Sequence, residues 1–203
     1  MAIEHPIIPE QVTGKRTDLD ASVLLPNREE AIDCFKRAYK RLQNPGIWHE
    51  LCGTLSAHFT LTDEGGNEVK RLADLYDAIK IDIPGPGTIA GGGYDWVTIE
   101  AVQENVNVNA SSESFAMRLR ASPEPGKKEV AHFFSNKATS TFIVERKGNT
   151  VIASYHGRNE VPNIDTPSML DTIRNAVIAA GAFALLSEAQ WSALMKALLQ
   201  PEL

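Results

Sequence analysis

Three ionisable side chains of different chemistry, His156, Arg158 and Glu160, fall within five residues of one another. Histidine changes charge near neutral pH, a guanidinium donates a planar fork of hydrogen bonds, and a carboxylate accepts them. At the end of a strand, such a trio could hold the polar group of a ligand. His132 stands upstream, beside Phe133-Phe134, and Trp96 lies at the hinge of a glycine-rich loop. His132, His156, Arg158, Glu160 and Trp96 are therefore the candidate ligand-binding residues. A plainer account is a capped strand end with a surface Arg–Glu pair, which contributes little, and a tryptophan in the core. An enzyme would need two of His132, His156 and Glu160 within hydrogen-bond reach, as acid and base.

Other chemistries fit less well. His49 and Cys52 are three apart, with His58 nearby, and zinc takes such ligands. A structural zinc site normally adds a second pair, and Cys34 stands alone on a predicted helix. No metal site is assigned. Neither cysteine precedes a helix start that would activate its thiol, and no Gly-x-Ser-x-Gly motif marks a serine nucleophile. Pro84-Gly85-Pro86-Gly87 and Gly91-Gly92-Gly93 invite a phosphate-loop reading. A phosphate loop opens into a helix, whereas here a strand follows. The loop reads instead as a wide connection that could gate a cavity, and no cofactor is expected.

Bulk composition narrows the classes. The chain has 203 residues, 43% hydrophobic and 23% charged, as expected of one ordinary globular domain. Its net charge of -6 disfavours nucleic acid and anionic membranes as partners. The N-terminus has no signal-peptide pattern. The longest apolar run, Ala176 to Leu186, is far short of the roughly 20 residues that span a bilayer. Two cysteines do not make a disulfide scaffold. A cytoplasmic location is the simplest expectation.

The elements that must position these residues follow from periodicity. Residues 1–20 read as an extended arm, and 21–203 as a single α+β domain. A short strand at Val23-Leu24-Leu25 leads to Asn27, an N-cap with Glu30 three residues on. Ile32, Phe35, Ala38, Tyr39 and Leu42 make the stripe of the helix that follows. Strands are predicted at Leu55 to Thr62, Ile79 to Ile83, Tyr94 to Val102, Phe115 to Arg120 and Val130 to Phe134. Ser140 to His156 reads as a hairpin. Its alternation puts Phe142, Val144, Ala153 and Tyr155 on one face, and Thr141, Ile143, Ser154 and His156 on the other. A helix from Thr166 to Leu186 and a last one from Ser187 to about Leu199 complete the chain, the latter with Trp191, Leu194, Met195 and Leu198 as its stripe. Segregated strands and helices imply a curved antiparallel sheet of about six or seven strands packed on a C-terminal helix. A closed β-barrel decorated with helices is the alternative.

This order resembles the START-like helix-grip superfamily. Val23 to Ala31 is similar to its first strand and helix start, and Asn44-Pro45-Gly46-Ile47-Trp48 to the stretch that follows. The Pro-Gly insert at 84 to 93 and the second C-terminal helix depart from that pattern. The resemblance implies a cavity between sheet and C-terminal helix for a small apolar ligand. A non-catalytic binding module is thus the first expectation. The second is an interaction or scaffold protein, a homo-oligomer or partner binder, using the arm at Ile3, Ile7 and Ile8 and the C-terminal helices. The third is an enzyme with a His/Glu acid–base pair.

Overall fold

Alternating apolar and polar residues favour strands with one buried face, and this chain forms seven of them. A computed structural model of the chain describes residues 5–53, 57–83, 91–163 and 188–201. The strands are β1 (Lys15–Leu24), β2 (His58–Thr62), β3 (Ala78–Asp82), β4 (Asp95–Asn105), β5 (Ser112–Ala121), β6 (Thr139–Lys147) and β7 (Thr150–Glu160). They form one antiparallel sheet in the order β1-β7-β6-β5-β4-β3-β2. β1 and β2 are its two edges, so the sheet curls but stays open. The closed-barrel alternative does not hold.

Helix α1 (Arg28–Leu42) begins where Asn27 accepts the Glu30 backbone N–H at 2.9 Å, as its sequence predicts. Its buried stripe is Ala31, Cys34, Phe35, Ala38 and Leu42, rotated slightly from the expected one. A 3-10 turn at Pro45–Ile47 runs into α2 (Trp48–Cys52), a segment too short to read from sequence. Residues 188–199 form α3, and Trp191, Leu194, Met195 and Leu198 are buried on it. Arg41 on α1 donates to the carbonyls of Ala197, Gln200 and Pro201, tying α1 to the end of α3.

The main core lies between these helices and the inward face of the sheet. Phe35, Trp48, Phe59, Phe115, Phe142, Tyr155 and Trp191 belong to it. The expected helix at 166–186 and the loop at 84–90 lie outside the described residues. Gly91, Gly92 and Gly93 form a turn leading into β4.

Three expectations need correction. β1 starts at Lys15 rather than near Asp20, because its charged residues sit on the solvent side of an edge strand. Val130 to Phe134 is not a strand. Among the described residues its only ladder-type pairings are the isolated bridges Pro123 to Val130 and Phe134 to Pro162, and it is tied to β4 by the Trp96 N–H donating to the Ala131 carbonyl and by the Phe133 N–H donating to Asp95. Finally, Ile7 is only 2% exposed and packs with Ala116 and Ile143 on the outward face of the sheet. Arg118 holds it there, donating to the Ile7 carbonyl at 2.7 Å. Of the arm isoleucines that suggested an outside partner, Ile7 is covered by the chain itself and Ile3 lies outside the described residues. No helix among the described residues is long and apolar enough to cross a membrane.

Candidate functional site

β7 carries three of the five candidates, and a bulge decides where each one points. Thr17 of β1 pairs with Gly157, and Lys15 pairs with Glu160. Arg158 and Asn159 thus stand opposite Arg16 alone, one residue too many for a regular ladder. Asn159 takes up the excess in the left-handed region, at φ 57°. Asparagine tolerates that conformation better than most residues. Its side chain is pinned by the N-terminal segment: Oδ1 accepts from Val12 and Thr13, and Nδ2 donates to the Glu10 carbonyl.

The bulge reverses the alternation. His156 and Arg158 lie on the outward face, and Glu160 on the inward one. On the outward side both converge on Asp18, the direct cross-strand partner of His156. His156 Nδ1 is 2.6 Å and Arg158 Nη2 is 2.8 Å from Asp18 Oδ1, while Arg16 donates to Oδ2 at 2.6 Å. Burial alone would raise the Asp18 carboxyl. The hydrogen bonds from Arg16, His156 and Arg158 outweigh it and hold the group down at about 2.

Inside, Glu160 is 9% exposed. Its Oε2 accepts from the Thr17 hydroxyl at 3.0 Å, and its Oε1 from the Tyr155 hydroxyl at 3.3 Å. Tyr155 also shares a hydrogen bond with Ser140 at 3.2 Å. Among the described residues no cation forms an ion pair with Glu160; Lys15 nearby is engaged with Glu188 of α3. Desolvation dominates, so the Glu160 carboxyl is raised despite the bonds from Thr17 and Tyr155. Burial likewise raises the Tyr155 phenol, with the Glu160 charge adding to it. Gly157 makes room for this pair, since a Cβ there would lie 2.4 Å from Glu160 Oε1 and 3.1 Å from the Tyr155 hydroxyl.

The other two candidates lie elsewhere. Trp96, on the outward face of β4, is 5% exposed and packs with Ala78 and Ala131. His132 sits in the loop before β6 and accepts the Phe134 backbone N–H through Nδ1 at 2.9 Å. Burial lowers its pKa, partly offset by Asp95, so it is a neutral acceptor. His132, His156 and Glu160 therefore occupy a loop, the outward face and the inward face, and form no acid–base pair. Cys52 directs its thiol at the Gln190 carbonyl, and burial pushes it up to about 12.

Sequence reasoning missed Thr17, Ser140, Gly157 and Asp18. Tyr155 was correctly placed on the inward face, but nothing local reveals that β1 brings Thr17 and Asp18 to β7.

Where α3 crosses the inward face, side chains fill the space: Trp191 packs on Trp48, Phe59, Phe142 and Tyr155. The space between α3 and the sheet is filled by these rings, and the helix expected to close a cavity, at 166–186, lies outside the described residues. Two open clefts occur among the described residues, of about 500 and 550 Å³. The first is lined by Tyr76, Thr98 and Pro123, the second by Phe59, Val69 and Leu72, and neither includes a candidate residue.

No family model matches the sequence, and no curated protein matches it. Several solved structures are similar in outline. A hypothetical protein of Helicobacter pylori shares 10% identity over 91% of this chain and 86% of its own, with a TM-score of 0.47. A Mycobacterium smegmatis protein shares 13% identity over 86% and 88%, at 0.40. Norcoclaurine synthase from Thalictrum flavum, solved with dopamine and hydroxybenzaldehyde, shares 9% over 96% and 98%, at 0.35. None of these likenesses bears on what this chain binds.

Proposed function

We propose that this chain is a small-ligand-binding module of the helix-grip kind, in which Glu160 and Tyr155 meet the polar group of a largely apolar ligand. One observation carries the reading. A carboxyl group is buried on an otherwise apolar face, with two hydroxyl partners and no ion pair to a cation among the described residues. Burial of that kind is costly to the fold, and costly polar groups collect at functional sites. A carboxyl beside a phenol accepts a donor, so an amine or hydroxyl on an aromatic or aliphatic body is the matching ligand class.

The test uses N-phenylnaphthylamine, an apolar donor whose fluorescence rises out of water. Wild type should give a saturable rise. Gly157→Ala should weaken binding about tenfold, in line with loss of a hydrogen bond to a charged group. Its methyl collides with the tip of a flexible side chain, so the carboxyl swings aside and the fold is little affected. No saturable signal in wild type, or an unchanged variant, overturns the reading.

Glu160→Gln supplies the thermodynamic side. The folded carboxyl is raised above its unfolded value of roughly 4.3. Its contribution is therefore favourable at low pH and is lost as pH rises through the folded value. At pH 7 the variant should be more stable than wild type, and this advantage should vanish below about pH 4. Thermal unfolding at the two pH values measures it.

A further inference from the structure

We infer that Ser154, His156 and Asp18 form a second, nucleophilic site on the outward face of the sheet, able to take the acyl group of a small ester. Strand pairing builds it. Asp18 stands directly opposite His156 in the β1–β7 ladder. Ser154 precedes His156 by two residues and so shares its face. His156 Nε2 lies 3.1 Å from Ser154 Oγ, and its Nδ1 lies 2.6 Å from Asp18 Oδ1.

The tautomer follows from the partners. An ionised carboxylate only accepts, so Nδ1 carries the proton and donates it to Asp18. In the neutral ring Nε2 is then an acceptor, and the Ser154 hydroxyl donates to it. This is the order of contacts that activates a serine: base on the hydroxyl, carboxylate behind the base. Arg16 and Arg158 fix the Asp18 carboxylate in place. Asp18 is a positioning residue.

The surroundings suit a small acyl group. Ser154 and His156 are half-buried, open enough for reagent. Ile143 pairs with Ser154, and Thr141 pairs with His156 on β6. The Thr141 hydroxyl is buried on this face, without a hydrogen-bond partner among the described residues. Neither open cleft is lined by Ser154 or His156, so the substrate class is short-chain esters with a good leaving group.

The chemistry balances. Ser154 Oγ attacks the carbonyl carbon, and its proton passes to His156 Nε2. The bond to the leaving oxygen breaks, and His156 returns the proton to that oxygen. Water then repeats the sequence on the acyl-serine and releases the acid. The site is on the opposite face from Glu160 and stands or falls independently of it.

The test is labelling with a fluorophosphonate. Ser154 Oγ forms the P–O bond, fluoride leaves with the P–F electron pair, and His156 takes the proton. Intact mass should show one adduct, and peptide mapping should place it on Ser154. Ser154→Ala should remove it, and His156→Gln should slow labelling by about 10²–10⁴-fold, the range of general-base catalysis. Asp18→Asn should abolish the downfield Nδ1 proton resonance of His156 while slowing the labelling, a signature that packing loss alone does not give. Gly157→Ala, which tests the inward carboxyl, should label as wild type does. No adduct on wild type, an adduct elsewhere, or equal rates in Ser154→Ala or His156→Gln overturns the inference.

Discussion

Trp191→Ala should destabilise the protein by about 3–5 kcal/mol, the range for deleting a large buried aromatic. The indole is 8% exposed and is the hub of the inward aromatic cluster. Its ring centroid lies 5.1 Å from Phe142, 5.5 Å from Tyr155, 5.8 Å from Phe59 and 6.1 Å from Trp48. These rings come from β6, β7, β2 and α2, so one side chain joins α3 to both halves of the sheet. Alanine leaves a cavity that four other rings cannot all collapse into. A domain of this size has a total stability of about 5–15 kcal/mol, so the loss is a large fraction of it. The melting temperature should fall by about 10 °C, at about 2–4 °C per kcal/mol for this chain length. Trp191→Phe should recover more than half. Urea unfolding measures both, and a loss below about 1 kcal/mol would show that α3 does not close the inward face.

A comparable loss, about 3–5 kcal/mol, is expected from Glu113→Ala. Arg146 and Glu113 face each other across β5 and β6, and both side chains are wholly buried. Arg146 Nε donates to Glu113 at 2.7 Å, and its other nitrogens donate to the carbonyls of Gly148 and Ala110. The guanidinium thus ties the β4–β5 turn to the β6–β7 turn. Removing the carboxylate leaves a cation buried with neutral partners only. The loss is that desolvation cost, not the net value of the pair. Arg146→Met combined with Glu113→Leu should therefore be less harmful than Glu113→Ala alone. A double variant worse than the single one would contradict this account. Denaturant midpoints of the three proteins decide it.

Much of the fold was legible because local chemistry agreed with the final packing. Asn27 caps the helix it was expected to cap, and Ile79 and Ile81 point inward as their alternation requires. The β6–β7 hairpin and the buried face of 188–199 follow from the same periodicities. The candidate site was legible only in part. Asp18 and Thr17 reach β7 from near the other end of the chain, and no short-range pattern encodes that pairing. Alternation carried past Gly157 places His156, Arg158 and Glu160 on one face, which the bulge undoes. The signal that could have been found is Asn159, whose type suits a left-handed residue at a strand end. Val130 to Phe134 misled because an apolar run reads as a strand whether or not a partner strand exists.

The Asn159 clamp makes the two faces of the sheet report on one another. Residues 10–13 hold the bulge from outside, and the bulge sets the carboxyl inside. Two states sharing one hinge are linked, and linkage is reciprocal. Any ligand that holds Glu160 in its bulged position must also hold the segment before Gly14 more firmly against Asn159. Cleavage after Lys15 or Arg16 by a trypsin-like protease requires that segment to detach, so it should slow as ligand is added. Clipping the segment away should in turn loosen the ligand by the same factor. A peptide stretch with no contact to the ligand would then serve as the handle by which its affinity is set.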